Sequence, residues 1–308
     1  MSGGMTGGEQ EGGTPGARPA GSRRPGHIVV GVDGSPGAAW ALDWAGSEAE
    51  RAGAPLLTVV VAWSFGGFTG AITKKDDAHD LVRGAEARLA AQHPGVTVDH
   101  VLSEQPASYA LIEASRGADL LVVGSRGLGG FRDLLLGSVG QHCLTHAPCS
   151  VAVIRAPEAP VPAGWGDGRG RIVVGVDGSE GSGRALDWAI DEARRSDARI
   201  DVVSSWVFPG TAGFVYSVDV GIPDRASHVV DGAVDHVAAT APGLVVGGRT
   251  TEDPPAVALV EASRTAQLLV VGSRGLGAFA GLLLGSVGHN LAIHAHCPLV
   301  VVRSADRA

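Results

Sequence analysis

The chain has 308 residues, with 24 Lys and Arg against 32 Asp and Glu, and its net charge is −8. This acidic balance, without a basic cluster interleaved with aromatic residues, argues against a nucleic-acid partner, and no apolar run reaches the roughly 18 residues that span a bilayer. Three cysteines and a polar amino-terminal segment predict a soluble protein of the reducing cytoplasm, with no membrane partner.

The first 26 residues are rich in Gly and Pro and show no apolar periodicity, so residues 1–26 are predicted to be disordered. From there, short apolar runs alternate with amphipathic stretches, and Ser35 is well placed as the N-cap of the first helix. Strands are predicted at 28–32, 56–63, 96–102, 119–123 and 150–155, and helices at 36–52, 76–92, 106–116 and from 138. Such β-α alternation predicts a five-stranded parallel sheet covered on both faces.

The same pattern returns in the second half of the chain. IVVGVDGS occupies residues 28–35 and again 172–179, and LLLGSVG occupies 134–140 and again 282–288. The repeat predicts an α/β protein of two tandem doubly wound domains. Their predicted bounds are 27–156 and 171–304, with a Pro- and Gly-rich linker at 157–170.

A glycine motif follows the fourth predicted strand of each half. It reads Gly124-Ser125-Arg126-Gly127, nine residues, Gly137-Ser138, and recurs as Gly272-Ser273-Arg274-Gly275, nine residues, Gly285-Ser286. In an open parallel sheet, ligands bind beyond the carboxyl ends of the strands where strand order reverses, here between strands 1 and 4. Glycines and a helix N-terminus at that point predict phosphate binding by backbone amides. Arg126 and Arg274 either add charge to this site or face solvent.

Two common nucleotide motifs are excluded. Neither glycine motif contains the lysine that a P-loop requires. The turn after strand 1 reads Gly31-Val32-Asp33-Gly34-Ser35, which does not match the G-x-G-x-x-G of a dinucleotide site.

With these motifs, the chain resembles the universal stress protein family in its tandem-domain form. The resemblance covers about 27–156 and 171–304, and both halves contain the family's G-x-x-G, nine residues, G-[ST] signature and its early V-D-G-S. It implies a Rossmann-like fold of the adenine nucleotide alpha hydrolase type, and ATP with Mg²⁺ bound in each half.

The resemblance also implies residue roles. Asp33 and Asp177 would lie beside the adenosine, although an Asp at this position also suits a helix cap. Near the adenine and ribose it places Gly31, Gly175, Ala62 and Ser205. Against the ribose and α-phosphate it places Gly124, Gly127, Gly272 and Gly275. At the outer phosphates it places Gly137, Ser138, Val139, Gly285, Ser286 and Val287.

The two sites are predicted to bind ATP with different affinities. The nine-residue insert carries Arg132-Asp133 in the first half, where the second half carries Ala280-Gly281. The first site thus has an extra cation and an extra anion near the phosphates.

These features predict an ATP-binding sensor or regulator of the stress response. The alternatives are a slow ATP-hydrolysing enzyme, although no nucleophile and base recur in both halves, and a redox- or metal-responsive regulator. The latter would use His142, Cys143, His146 and Cys149, for which core packing is the preferred interpretation. The resemblance further implies that the halves pair through 150–155 and 299–303, and that two chains associate and act on a regulatory protein partner.

Overall fold

The computed structural model describes residues 26–54, 56–63, 72, 74–128, 136–155, 170–206, 222–276 and 284–303. We call the described residues up to 155 the first half and those from 170 the second half. The first half contains β1 (His27–Gly31), α1 (Pro36–Ala52), β2 (Leu56–Ala62), α2 (Lys75–Gln92), β3 (Val98–Ser103), α3 (Ala107–Ala114), β4 (Leu120–Gly124), α4 (Ser138–His146) and β5 (Ser150–Ile154). The second half contains β6 (Arg171–Gly175), α5 (Glu180–Ser196), β7 (Arg199–Ser205), α6 (Ile222–Thr240), β8 (Val246–Thr251), α7 (Pro255–Ser263), β9 (Leu268–Gly272), α8 (Ser286–His294) and β10 (Leu299–Val302).

The predicted elements of the first half are all present, with ends that shift by one or two residues. The largest shift at a strand is at β3, which begins at Val98 and not at Val96. The N–H of Val96 donates to the carbonyl of His93 at 3.0 Å, so this residue belongs to the turn that follows α2. Ser35 is the N-cap of α1 as predicted, because its hydroxyl accepts the N–H of Ala38 at 3.1 Å.

The ten strands of the described residues form one sheet, in the order β3-β2-β1-β4-β5-β10-β9-β6-β7-β8. Pairing is parallel within each half, which confirms the predicted pair of five-stranded parallel sheets. The halves meet where β5 pairs with β10 in antiparallel register, with Leu299 opposite Val153. The predicted pairing through the last strands is therefore confirmed. It also removes the two most apolar edges from solvent, since every residue of β5 and β10 is buried.

Helices cover both faces of the sheet, and each face has its own apolar core. One core lies beneath α1, α2, α5 and α6, and it includes Trp44 and Trp188, which occupy equivalent positions in α1 and α5. The other core lies beneath α3, α4, α7 and α8, and it includes Leu144 and Leu291. Both cores extend across the junction of the halves, so each core packs against helices of the first half and of the second half. No helix in the described ranges is both long and apolar enough to cross a bilayer.

A cluster of four charged side chains joins α1 to α5 across the junction. Glu48 and Glu192 are buried, with 3% of each residue exposed. Arg51 contacts Glu48 at 2.8 Å and Glu192 at 3.3 Å, and Arg195 contacts the same two carboxylates at 3.3 and 2.8 Å. Burial, together with the neighbouring charge of Glu192, raises the pKa of Glu48 from 4.5 to about 7, against the opposing effect of the two arginines.

This cluster predicts that the protein loses stability as the pH rises through neutrality. Because the pKa of Glu48 is higher in the folded chain, the folded state binds more protons than the unfolded state between pH 4.5 and about 7. The free energy of unfolding should therefore be higher at about pH 5 than at about pH 8, by a few kcal/mol for a shift of this size. Urea denaturation across that range measures it.

A Glu48→Gln variant should have a flatter pH profile than the wild type and should match or exceed its stability at about pH 8. Glu104→Gln, at an exposed position, is the control and should leave the profile unchanged. Parallel pH profiles for the wild type and Glu48→Gln would contradict the assignment.

Candidate nucleotide-binding site

The point where strand order reverses lies between β1 and β4, as predicted. β1 pairs with β2 on one side and with β4 on the other, and all three strands are parallel, so their carboxyl ends share one edge. The equivalent edge in the second half is formed by β6, β7 and β9.

Asp33 links the turn after β1 to the glycine loop after β4. Its Oδ1 accepts the N–H of Ser35 at 2.9 Å, and its Oδ2 accepts the N–H of Leu128 at 3.0 Å. Asp33 is therefore not the N-cap of α1, a role that belongs to Ser35. Its carboxylate instead fixes two loops that the chain separates by 95 positions.

Asp177 makes the same link in the second half. It accepts the N–H of Ser179 at 3.0 Å and that of Leu276 at 2.8 Å. Burial acts to raise the pKa of Asp177, but hydrogen bonds from Ser179, Leu276 and Ser182 outweigh burial and lower the pKa below its usual value. This carboxylate is thus ionised at neutral pH, and both of its oxygens already accept backbone amides.

The first two glycines of each motif are required by packing within the protein. A Cβ on Gly124 would lie 2.7 Å from the carbonyl carbon of Gly37, in the first turn of α1, and a Cβ on Gly127 would overlap the carboxylate of Asp33. In return, a Cβ on Gly37 would lie 2.6 Å from the carbonyl oxygen of Arg126. These glycines let α1 lie directly against the loop, which explains their identity without a ligand.

The third glycine of the motif is different, because a Cβ there would overlap no atom of the described residues. Gly137 is the N-cap of α4 with φ −75° and ψ 154°, a conformation that any residue adopts. Among the described residues, the atom nearest to a Cβ built there is the carbonyl oxygen of Ser125 at 3.6 Å, an ordinary van der Waals distance. No side chain of the described residues caps the helix, and the first three amides of a helix have no intrahelical acceptor. Gly285, the N-cap of α8, has the same dihedral angles to within a few degrees and the same clearance.

The structure gathers the predicted site residues of the first half along this edge. Gly31 and Ala62 are the last residues of β1 and β2, and Gly31 packs on Leu111 of α3. Arg126 is exposed in the glycine loop. Of the two alternatives for this arginine, the structure thus shows the one in which it faces solvent. The second-half counterparts occupy equivalent positions: Gly175, Asp177, Ser205, Gly272, Arg274, Gly275, Gly285, Ser286 and Val287. The contrast between Arg132-Asp133 and Ala280-Gly281 lies outside the described residues.

Gly37 and Gly181 are site residues that the sequence reasoning missed. A Cβ on Gly181 would overlap the carbonyl oxygen of Arg274, just as a Cβ on Gly37 would overlap the carbonyl oxygen of Arg126. Each stands two residues after the V-D-G-S segment in its half, so the repeat itself contained the signal.

The histidines and cysteines near α4 do not converge. Cys143 is fully buried and belongs to the core, whereas the rings of His142 and His146 stack on each other towards the surface with centroids 4.2 Å apart. The described residues contain no group of three His, Cys, Asp or Glu side chains able to hold a metal ion.

The cysteines are predicted to be unreactive in the folded protein. Burial raises the pKa of Cys143 to about 12, of Cys149 to about 11 and of Cys297 to about 12, so almost no thiolate exists at pH 8. Iodoacetamide at about pH 8 should modify these thiols only after denaturation, as read by mass spectrometry of the intact chain. Stoichiometric modification of the native protein would instead favour the redox-responsive alternative.

A cleft of about 670 Å³ lies away from the glycine loops, beside α7 and α8. Its lining includes Arg264 and His294 but also Asp253 and Glu261, so it has no single charge sign that would select an ionic ligand. Arg155 of the first half reaches into its wall.

Comparison with known proteins places this geometry in a family. The profile of the universal stress protein family matches residues 25–155 and again residues 168–303. A universal stress protein of Mycobacterium tuberculosis strain H37Rv is 32% identical over 291 residues, which is 90% of this chain and 96% of the relative. One from Mycolicibacterium smegmatis is 30% identical over 287 residues, covering 90% and 96%. A crystal structure of a universal stress protein from Archaeoglobus fulgidus has the same fold, with a TM-score of 0.63 and 19% identity over 90% of this chain and 98% of that one.

Proposed function

The chain belongs to the universal stress protein family, in tandem form, and from that premise we propose that each half binds one ATP and that the chain is a nucleotide-dependent regulator of a stress response. The observation that carries this proposal is the N-terminus of α4, which no side chain of the described residues caps and where Gly137 leaves room for a methyl group. A helix N-terminus binds anions through its amides and its dipole.

The rest of the edge fits a nucleotide that lies across it. Phosphates would contact the amides of Ser138 and Val139, and the ribose would lie near the loop that Asp33 fixes. The base would lie near the half-buried ends of β1 and β2, at Gly31 and Ala62. Mg²⁺ would be held by phosphate oxygens and water, its usual ligands beside a nucleotide.

The same geometry supports binding and reporting better than rapid hydrolysis. Both oxygens of Asp33 and of Asp177 accept backbone amides, so both carboxylates already have a structural role in fixing the loops. Loops that are fixed to each other by these carboxylates transmit a change at one loop to the other. Pairing of two chains, a regulatory protein partner and a cytoplasmic location stay predictions.

Calorimetric titration of the nucleotide-stripped protein with ATP and Mg²⁺ tests the proposal. Two ATP per chain are expected for the wild type, one for Gly137→Asp and one for Gly285→Asp. Inorganic phosphate at equal concentration is the control for nonspecific anion binding. Absence of ATP binding by a correctly folded wild-type protein, verified by circular dichroism, would overturn the proposal.

A further inference from the structure

Each half ends in an arginine that reaches into the other half. The Arg155 guanidinium, directly after β5, donates to the carbonyls of Ala292 and Ile293 at 3.2 and 2.6 Å. These carbonyls belong to the last turn of α8. The last four carbonyls of a helix have no intrahelical donor, and a cation there complements the helix dipole. Arg155 thus caps the helix whose opposite end forms the second phosphate site.

Arg303, directly after β10, makes the reciprocal contact. Its guanidinium donates to the carbonyl of Leu144, in the last turn of α4. Leu144 and Ala292 are equivalent in the two copies of the repeat, as are the two arginines. The helix that forms the first phosphate site is therefore held at its far end by the second half.

These arginines are also tied to the glycine loop of their own half. Ser125 donates its N–H to the carbonyl of Ile154, the residue before Arg155, at 2.7 Å. The carbonyl of the same Ser125 accepts the N–H of Gly137 at 2.8 Å, so one residue contacts both the end of β5 and the N-cap of α4.

The second half repeats this arrangement. Ser273 donates to the carbonyl of Val302 at 2.9 Å and accepts from Gly285 at 2.8 Å, and Val302 precedes Arg303. The contacts therefore form a closed ring. From the first phosphate site the ring follows α4 to Arg303 and continues through Ser273 to the second phosphate site. From there it follows α8 to Arg155 and returns through Ser125 to the first site.

We propose that Arg155 and Arg303 are positioning residues that couple the two phosphate sites, each holding the phosphate-binding helix of the opposite half. This inference rests on the proposed function for its ligand. α4 has nine residues and is about 13 Å long, so a tilt at its capped end displaces the amides at its other end. Loss of Arg303 weakens binding at the first site, and loss of Arg155 weakens binding at the second.

Single-site backgrounds test this crossed pattern. In Gly285→Asp, which leaves the first site, Arg303→Met should lower ATP affinity about five-fold, the lower end of typical coupling energies, and Arg155→Met should change it less. In Gly137→Asp, the order should reverse. Arg264→Met is the matched control, because Arg264 lines the same cleft as Arg155 but contacts Glu261 of its own helix. Equal effects of both arginines in both backgrounds, or no effect, would overturn the inference.

Hydrogen exchange without nucleotide separates this inference from the proposed function. Arg303→Met should speed exchange in α4 and not in α8, and Arg155→Met the reverse. If each arginine variant instead speeds exchange in both helices, or only in the helix of its own half, the inference is overturned whatever the titrations show. Crossed exchange in a protein that binds no ATP contradicts the proposed function and leaves the helix contacts established.

Discussion

Replacing both Gly137 and Gly285 by Asp is expected to abolish ATP binding while the protein stays as stable as the wild type or gains stability. Asp is a preferred N-cap, and both positions have extended dihedral angles and room for a Cβ. The new carboxylate accepts the amides proposed to hold phosphate and places a negative charge where phosphate charge would lie. A loss of at least about 100-fold in affinity follows from two or more lost charge-assisted hydrogen bonds.

Calorimetry for binding and urea denaturation for stability measure the two effects on one sample. Gly137→Asn with Gly285→Asn is the matched control, because Asn caps the helix equally well but carries no charge. It should retain more affinity than the Asp variant. If the Asp variant binds ATP as the wild type does, the helix N-termini are not the phosphate sites.

Gly124→Ala is expected to destabilise the protein strongly for the addition of a single methyl group. The added Cβ would lie 2.7 and 2.8 Å from the carbonyl carbon and oxygen of Gly37, and these backbone atoms lie in the first turn of α1 and cannot move without it. Overpacking of this kind costs about 3 kcal/mol. Gly272→Ala should behave alike, because its Cβ would lie 2.6 Å from the same atoms of Gly181.

Gly84→Ala makes the same chemical change with the opposite expected sign. Gly84 lies inside α2, and no atom of the described residues lies within 4 Å of its missing Cβ, so Ala should stabilise the helix by about 1 kcal/mol. Urea denaturation at constant pH measures both variants. Equal stabilities of Gly124→Ala and Gly84→Ala would show that α1 does not rest on the glycine loop as described.

The sequence was sufficient to predict the parts of the site that are local in the chain. An apolar run followed by Gly124 marks a strand and its loop, and Ser35 before Pro36 marks a helix start, because backbone preferences act over a few residues. The chemical reason for Gly124 and Gly127 was incomplete. Both were interpreted as openings for a ligand, yet their missing side chains make room for Gly37 and Asp33.

Contacts between the halves could not be predicted from local patterns. In the sequence, Glu48 is one charged residue on the face of a predicted helix. The junction of β5 with β10 brings Glu192 and two arginines around it. Arg155 likewise reads as the polar end of a strand. Identity between the copies of the repeat was the one available signal, since Glu48 and Arg155 recur as Glu192 and Arg303.

The antiparallel junction of β5 and β10 fixes the directions in which the two sites open. β4 is parallel to β5 and β9 is parallel to β10, so the carboxyl ends of β4 and β9 lie at opposite edges of the sheet. A protein that docks over the first glycine loop and one that docks over the second therefore approach from opposite sides and do not collide. With a partner bound at each glycine loop, the chain would join the two partners along one line, whereas a single domain would offer one such loop.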